Sequence, residues 1–493
     1  MASAGAGTTI IDAQSWDTAI QVTGGGNVVI DGFTIQNGGG GHDGGGVSCS
    51  GSGLTLQNSI VTANTGVNGG GIGADGCWGV VTNNTISANS AAANGGGLWV
   101  VGDDLAIDGN DILDNHTDLY GGGVHVVGNS PVVGNFVDDN DSDVRGGGIY
   151  IDAASDTLLA GNYVSFNFSI DDGAGVYIHE SGGSVDNNDI VDNYSDDDGG
   201  GLRMKLATAT VTNNVISRNI ATNTGGGAKF SHEATTITGN TISDNEGYWR
   251  GGGMQLEECE CYFANNTVTG NHSPTGGGLY LENGWGTLTL EDSLIASNSA
   301  DLDGGNLYIA MPGQTVVMRR IDIQTGTANQ GAGIYSVGTN LDIVATTFWK
   351  NAATLGGGAA FLEATTGALT NDVAWGNTGT EGSAFRFSNG TSFAVKNTVL
   401  QNNTGSAAAW VSSGVAPTWT YNNMYSNSGA FYGMPPQAGV NGNVKVKPLF
   451  KRPSTGNFKL SAGSRMFDVG DPAIFDVNAT RSDMGVFGGP EGY

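Results

Sequence analysis

Basic residues are scarce in this sequence. Lys and Arg together number 18 among 493 residues, against 47 Asp and Glu, which gives a formal charge of −29. A nucleic-acid backbone or an anionic membrane surface is bound through clustered Lys and Arg. The composition therefore argues against both partners. It is typical of a soluble protein that works outside the cell, in salt water or loaded with divalent cations.

Long apolar runs are also missing. No stretch approaches the ~18 residues that a transmembrane helix needs, so we expect no transmembrane segment. The first residues, MASAGAGTTIIDAQ, have neither the basic nor the apolar region of a signal peptide. We read them as a start methionine placed on a mature segment, and we expect a signal peptide to be missing from this chain.

Cysteine is rare, with only Cys49, Cys77, Cys259 and Cys261. Four cysteines are too few for a disulfide scaffold in a chain of this size, and their spacing lacks the CxxC pairs of a zinc site. Cys49 and Cys77 could pair if they lie on adjacent turns of the fold. Cys259 and Cys261 are next-but-one neighbours whose bridge would be strained. Free thiols and disulfides stay open for both pairs.

Glycine, in contrast, is abundant and periodic. It fills 85 positions without a Gly-X-Y collagen period. Fourteen glycine clusters recur at intervals of 25 to 28 residues, from Gly44 to Gly382. Two columns of asparagine keep the same period and lie five residues apart, as Asn84 and Asn89 do. Self-similarity at this period predicts a solenoid.

The segments within each repeat have the pattern of strands. Stretches such as GGGLWV and LTLQNSIV alternate with a period of two, and no helical period of useful length occurs. Short strands between glycine and asparagine corners predict an all-β parallel β-helix of about 14 coils, with about three strands in each coil. Stacked asparagine amides should form a hydrogen-bonded ladder, and glycine should supply positive φ or a tight backbone approach at the other corner.

Three regions follow from this repeat. We expect residues 1–40 to form an N-terminal cap and the first coils, residues 41–430 the main β-helix, and residues 431–493 a C-terminal cap region. The caps are needed because open ends of a solenoid expose unpaired strand edges.

The repeat resembles known families. Stretches such as TISANSAAANGGGLWV are similar to the repeats of polymorphic outer-membrane-protein adhesins and of many bacterial right-handed β-helix proteins. Residues 440–489, with NGNVKVKPLF and SDMGVFGGP, resemble the terminal region of secreted bacterial β-helices of the choice-of-anchor Q type. This sequence departs from that pattern at Lys447, where an Asp is usual, and at Met466–Phe467, where small or aliphatic residues are usual.

The resemblance implies a right-handed β-helix and an extracellular or cell-surface location. It implies no single activity, because such families include polysaccharide lyases, glycosidases of acidic sugars, adhesins and proteins of unknown role.

In the strand after each glycine cluster, alternate side chains point to opposite faces of the sheet. The first and third residues are apolar and should point inward, whereas the second and fourth should face solvent. The first outward column includes most of the aromatic residues and two cations: Trp99, His125, Tyr150, Tyr177, Arg203, Lys229, Gln255, Tyr280, Tyr308 and Tyr335. The second outward column includes His179, Lys205, Glu257 and Glu282.

These columns predict a cationic surface of Arg203, Lys205 and Lys229, flanked by tyrosines. Pyranose faces pack on aromatic rings, and cations suit uronate or sulfate groups. The hypothesis is that the chain binds an acidic polysaccharide, with contacts from Trp99, Tyr150, Tyr177, Tyr280, Tyr308, Tyr335, Glu257 and Glu282. The alternative is that outward tyrosines only stabilise the sheet and that the cations only neutralise nearby acids.

If the surface is catalytic, two mechanisms fit. In β-elimination of a polyuronate, Arg203 would neutralise the carboxylate with Lys229 nearby, Lys205 would remove the C5 proton, and His179 or Tyr177 would serve as acid. In hydrolysis, Glu257 and Glu282 would form the carboxylate pair. Elimination is preferred because the cations cluster. The rival hypothesis is a non-catalytic surface adhesin or structural protein that binds glycans or calcium, so the sequence leaves open whether the chain is an enzyme.

An acidic belt accompanies the cations. Residues 103–198 contain 20 Asp residues, several of them just before glycine clusters. Calcium prefers oxygen ligands, so Asp172, Asp197 and Asp198 are candidate calcium ligands. The spacing matches no known calcium loop, and a solvated acidic surface is the alternative. The polymer and the oligomeric state cannot be deduced from these residues.

Overall fold

The computed structural model describes residues 5–102, 104–232, 234–390 and 392–492. They belong to two compact units, Met1–Glu246 and Gly247–Tyr493. In each unit the chain forms a parallel β-solenoid, because each strand pairs in parallel with its counterpart about 26 residues later. A full coil has four strands rather than the three expected, as in Leu98–Val101, Leu105–Asp108, Asp111–Leu113 and His116–Thr117. We number the four sheets 1 to 4 in this order.

Three sheets of the first unit position the residues discussed below. Sheet 1 follows the glycine clusters and consists of Ile20–Val22, Val47–Ser50, Ile72–Asp75, Leu98–Val101, Val124–Val127, Ile149–Asp152, Val176–His179, Leu202–Lys205 and Ala228–Ser231. Sheet 3 consists of Ile10–Asp12, Thr34–Gln36, Ile60–Thr62, Thr85–Ser87, Asp111–Leu113, Phe136–Asp138, Tyr163–Ser165, Asp189–Val191, Val215–Ser217 and Thr241–Ser243. Sheet 4 consists of Thr65–Asn68, Ser90–Asn94, His116–Thr117, Asp141–Ser142, Phe168–Ser169, Tyr194–Ser195 and Ile220–Ala221. Sheet 2 runs from Asn27–Asp31 to Thr236–Thr238.

The second unit repeats this arrangement. Its sheet 1 consists of Met254–Glu257, Leu279–Glu282, Leu307–Ala310, Ile334–Val337, Ala360–Glu363, Phe385–Ser388, Ala409–Val411 and Phe431–Tyr432. Its sheet 2 runs from Tyr262–Ala264 to Thr418–Thr420, its sheet 3 from Thr267–Thr269 to Asn423–Tyr425, and its sheet 4 from His272–Thr275 to Ala352–Gly356. The described residues thus form about sixteen turns rather than fourteen, because turns at both ends have no glycine cluster.

The asparagine columns form the predicted amide ladder inside each solenoid. Asn84 is 2% exposed, and its Nδ2 donates to Oδ1 of Asn110 at 3.0 Å and to the carbonyl of Leu56 at 2.9 Å. Its Oδ1 accepts from the backbone N–H of Ser59. Both ends of the buried amide are therefore satisfied, as a buried polar group requires.

The corners need left-handed backbone at two places in most coils. The first glycine of a cluster is one, and Gly199 has φ +63°, which confirms the predicted role of glycine. The residue just before a buried asparagine is the other, and non-glycine residues such as Asp114 (φ +54°) and Phe166 (φ +53°) occupy it. The sequence pattern did not reveal this second corner.

In the coils near 304–345 the asparagine column is interrupted, but the amide ladder continues because an asparagine from another position takes part in it. Asn306, which ends a glycine cluster, accepts from Nδ2 of Asn298 at 2.9 Å and donates to Oδ1 of Asn351 at 3.0 Å. An amide from the neighbouring corner therefore fills the gap.

Other features concern the cysteines and the C-terminal residues. Cys49 is bonded to Cys77 and Cys259 to Cys261. After Tyr432 the chain forms an antiparallel pair, Phe450–Arg452 with Asn457–Leu460, joined by the 3₁₀-helix Pro453–Thr455. This region packs Phe458, Leu460, Met466, Met484 and Val486 against Val373 and Val399 of sheet 3. The predicted boundaries at residues 40 and 430 stay predictions. No helix among the described residues is long and apolar enough to cross a membrane.

Candidate functional site

The first outward column of sheet 1 is covered rather than exposed. Tyr177 is 0%, Arg203 4% and Lys229 8% exposed. The reason lies in the glycine clusters, whose backbone folds over the column: a Cβ added to Gly173 would lie 2.9 Å from Cβ of Arg203. The prediction that this column faces solvent is therefore wrong. The same burial applies to His125, Tyr150, Gln255, Tyr280 and Tyr335, whereas Trp99 and Tyr308 are half-buried.

The two buried cations of this column have carboxylate partners. Nζ of Lys229 lies 2.6 Å from Oδ2 of Asp198, and Oδ1 of Asp198 accepts from the hydroxyl of Thr224 at 2.6 Å. Nε of Arg203 lies 3.7 Å from Oδ2 of Asp172, and its Nη1 donates to the carbonyl of Met204 at 2.5 Å. The aspartates that precede the glycine clusters are thus counter-ions for cations on the next coil.

The tyrosines of this column use their ring faces for one another and for arginine. Tyr150 and Tyr177 stack at 5.0 Å with an angle of 6°, and the guanidinium of Arg145 lies 5.5 Å from the Tyr177 ring. Arg145 also pairs with Asp171 at 2.8 Å. Burial raises the pKa of Tyr177 to about 12. A sugar ring therefore finds no free face on these tyrosines.

Lys205 and His179 lie in a different environment from Arg203 and Lys229. They occupy the second outward column, where both are half-buried, and they are paired in register on neighbouring strands. Nδ1 of His179 lies 3.0 Å from Oδ1 of Asp152. The structure thus brings Lys205 beside His179, but the other two predicted catalytic cations lie under the glycine corner.

In the second unit the side chains of the outward columns also contact one another or their neighbours. Tyr280 stacks on Tyr308 at 4.8 Å, and Tyr308 stacks on Tyr335 at 5.1 Å. Glu282 is in register with Glu257, as expected for a carboxylate pair one coil apart. However, Glu282 accepts from Gln255 at 2.5 Å and from Arg250 at 3.3 Å, so this carboxylate is occupied by its own neighbours.

Only two of the three predicted calcium ligands, Asp172 and Asp197, lie together in one group of carboxylates. Oxygen atoms of Asp171, Asp172 and Asp197 lie within 4.8 Å of one another. Asp198 is outside this group because it is engaged with Lys229 and Thr224. Burial raises the pKa of Asp172 to about 6, and the nearby Arg203 acts in the opposite direction.

An exposed group of aromatic side chains lies elsewhere in the first unit. We call it the aromatic patch, and it consists of Phe136, Tyr163, Phe166, Phe168 and Tyr194. Phe136, Tyr163, Phe166 and Tyr194 are 38%, 39%, 60% and 36% exposed, and Phe168 is half-buried. Phe136 stacks on Tyr163 at 5.5 Å in sheet 3, and Phe168 stacks on Tyr194 at 5.9 Å in sheet 4.

A sequence signal for the aromatic patch exists but is short. Four of its members come directly after a ladder asparagine, in the dipeptides NF, NY, NF and NY at residues 135, 162, 167 and 193. Since the ladder asparagine points inward, the next residue must point outward. The sequence reasoning concentrated on the residues after the glycine clusters and missed these positions.

Comparison with known proteins agrees with this architecture. A family model described as the right handed beta helix region matches residues 5–164 and 147–317. A search of curated proteins finds no match to the chain.

Proposed function

Because the chain belongs to the family of right-handed β-helix proteins, we propose that it is an extracellular protein that binds a glycan through the aromatic patch without cleaving it. The β-helix fold is consistent with carbohydrate-active and with adhesin-like roles. The observation that carries the proposal is the aromatic patch, since exposed apolar surface of this kind marks a binding site more often than a folding need. Aromatic rings offer the apolar faces on which pyranose rings pack.

The contacts of the predicted catalytic residues weigh against β-elimination. Such a reaction needs a cation that can approach the uronate carboxylate. Arg203 and Lys229 lie under a glycine corner and have Asp172 and Asp198 as partners. Lys205 would keep a role as base only if another cation neutralised the substrate. These contacts favour binding without turnover.

The proposed location rests on the two disulfides and on the resemblance to secreted proteins. Bonds such as Cys49–Cys77 persist in oxidising compartments and are rare in the cytosol. Kinship with polymorphic outer-membrane-protein adhesins or with choice-of-anchor Q proteins would agree with this location and is likewise a proposal.

Calcium bound by the aspartates before the glycine clusters is a further part of the proposal. The sequence named Asp172, Asp197 and Asp198, and the geometry supports Asp171 in place of Asp198. Carboxylate oxygens are the ligands that calcium prefers. A bound ion would have to share these carboxylates with Arg145 and Arg203, so we expect weak binding.

Two measurements on the full chain test the proposed function. The first is binding to a panel of immobilised polysaccharides by wild type, by Tyr163→Ala in the aromatic patch and by Tyr248→Ala as control; Tyr248 is an exposed tyrosine of the second unit. The second is the absorbance of unsaturated uronide with alginate, pectate and glycosaminoglycans. We expect binding that is weakened only by Tyr163→Ala, and no absorbance change. Turnover of a polyuronate that is lost in Lys205→Ala would establish a lyase instead.

A further inference from the structure

We propose that the aromatic patch selects a glycan whose sugars carry protonated amines, such as a β-linked glucosamine chain. This inference rests on the proposed function and goes further, because it assigns the charge of the ligand. It reverses the sequence-based expectation of an acidic polysaccharide.

The exposure of the aromatic patch is not explained by folding. In the second unit the equivalent outward positions of sheet 3 include Val373 and Val399, and both are covered by the C-terminal region. In the first unit Phe136 and Tyr163 occupy these positions and stay 38% and 39% exposed. Two large rings are therefore exposed at positions where the second unit buries two valines.

Phe166 contributes the most exposed ring of the aromatic patch. It has φ +53°, a left-handed conformation that bulky side chains rarely adopt. Its ring is 60% exposed, so it gains little burial in return. The left-handed corner itself recurs in most coils, so the feature particular to Phe166 is the bulky ring that the corner leaves exposed. Phe166 lies two residues before Phe168, between the sheet 3 and sheet 4 parts of the aromatic patch.

Carboxylates border the aromatic patch along the solenoid axis. On sheet 3, exposed Asp111 is in register with Phe136, and exposed Asp189 is in register with Tyr163. On sheet 4, Asp141 is in register with Phe168. Ammonium groups are attracted by carboxylates and by the faces of aromatic rings, whereas uronates are repelled by the aspartates.

The nearby cationic side chains offset only part of this charge. Arg218 forms a bidentate pair with Asp192, at 2.8 and 2.7 Å. His116 lies 2.5 Å from Asp141 through Nδ1 and 3.3 Å from Asp118 through Nε2. His116 thus occupies Asp141, whereas Asp111 and Asp189 border the exposed rings of sheet 3, so the surroundings of the patch favour a cationic ligand.

The spacing favours a sugar chain over a basic peptide. Rings and carboxylates repeat once per coil, at ~4.8 Å along the sheet, whereas an extended peptide repeats every ~3.3 Å per residue. A β-linked pyranose chain has a repeat close to the coil spacing. Successive sugars can therefore meet successive coils, but successive lysines cannot.

Isothermal titration of the full chain with three hexasaccharides tests the inference. The probes are glucosamine hexamer, its N-acetylated form and cellohexaose, which share a backbone and differ in charge. We expect the glucosamine hexamer to bind about tenfold more tightly than either neutral hexamer and to lose this advantage in high salt. Tyr163→Ala and Asp189→Asn should each weaken it by about three- to fivefold. Tyr248→Ala and the exposed Asp156→Asn serve as matched controls and should change nothing.

The outcomes separate this inference from the proposed function. Equal binding of the three hexamers, or preference for a polyuronate, would refute the charge assignment and leave glycan binding intact. Tighter binding of hexalysine than of glucosamine hexamer would replace the glycan by a basic protein and overturn the inference. Absence of binding to any saccharide would overturn both proposals.

Discussion

Replacement of Lys229 by methionine tests whether the cations of sheet 1 are structural. Nζ of Lys229 lies 2.6 Å from Oδ2 of Asp198, and each side chain is 11% exposed. Methionine retains much of the length but not the charge, so Asp198 would lose its cationic partner in a desolvated place. Removal of one partner of a buried pair costs about 3–5 kcal/mol. The hydrogen bond from Thr224 to Asp198 persists, so we expect a loss at the lower end, about 3 kcal/mol.

The assay is urea unfolding followed by circular dichroism, with thermal melting beside it. In a unit of this size about 3 kcal/mol corresponds to a fall of roughly 6–12 °C in the melting midpoint. The double variant Asp198→Asn/Lys229→Met removes both charges and should recover at least half of the lost stability. Lys205→Met, on the second outward column, should change stability by less than about 0.5 kcal/mol. Wild-type stability for Lys229→Met, or no recovery in the double variant, would refute a structural role.

Four further predictions concern single residues. Burial raises the pKa of Asp372 well above its usual value, so the folded protein holds a proton that the unfolded chain releases, and stability should fall as the pH rises above about 4. Urea unfolding of Asp372→Asn should show a shallower fall, and an unchanged pH slope would contradict this. Phe166→Asn relieves the left-handed strain and should raise the free energy of unfolding by about 0.5–1 kcal/mol while it weakens glycan binding; a less stable variant would show that the ring supports the fold. Lys205→Ala should match wild type in stability and, like wild type, release no unsaturated uronide from pectate; wild-type release that the variant loses would point to catalysis. Calcium should raise the melting midpoint of wild type but not of Asp197→Asn; equal responses would place the ion elsewhere.

The repeat and the ladder could be predicted because their signals are local and recurrent. Asn84 and its equivalents return once per coil, and an amide stack satisfies both ends of each buried side chain. The strand that follows each glycine cluster could be placed for the same reason. The fourth strand of each coil was missed because it is only two residues long in several coils, such as Asp141–Ser142. Two residues carry too short a pattern for a period of two to be recognised.

The error about the first outward column has a physical cause. Alternation fixes the direction of a side chain relative to its strand, but it does not say what lies above that side chain. Arg203 does point away from the core, yet the backbone at Gly173 and Gly199 lies on its Cβ. A tight backbone approach was one of the two roles predicted for glycine, but the sequence did not show which side chains the backbone would approach.

The ion pairs reveal an offset that the repeat alone does not. Asp198 and Lys229 are separated by 31 residues, and so are Asp172 and Arg203, which lie at positions 172 and 203. Arg250 and Glu282 are separated by 32 residues with the charges exchanged. The residue just before one glycine cluster and the outward-facing residue after the next glycine cluster are separated by one coil plus about five residues. For a charged residue on that face, the residue about one coil and five positions earlier in the sequence should therefore be checked for the opposite charge. Only a charged residue without such a partner is a candidate for binding a ligand.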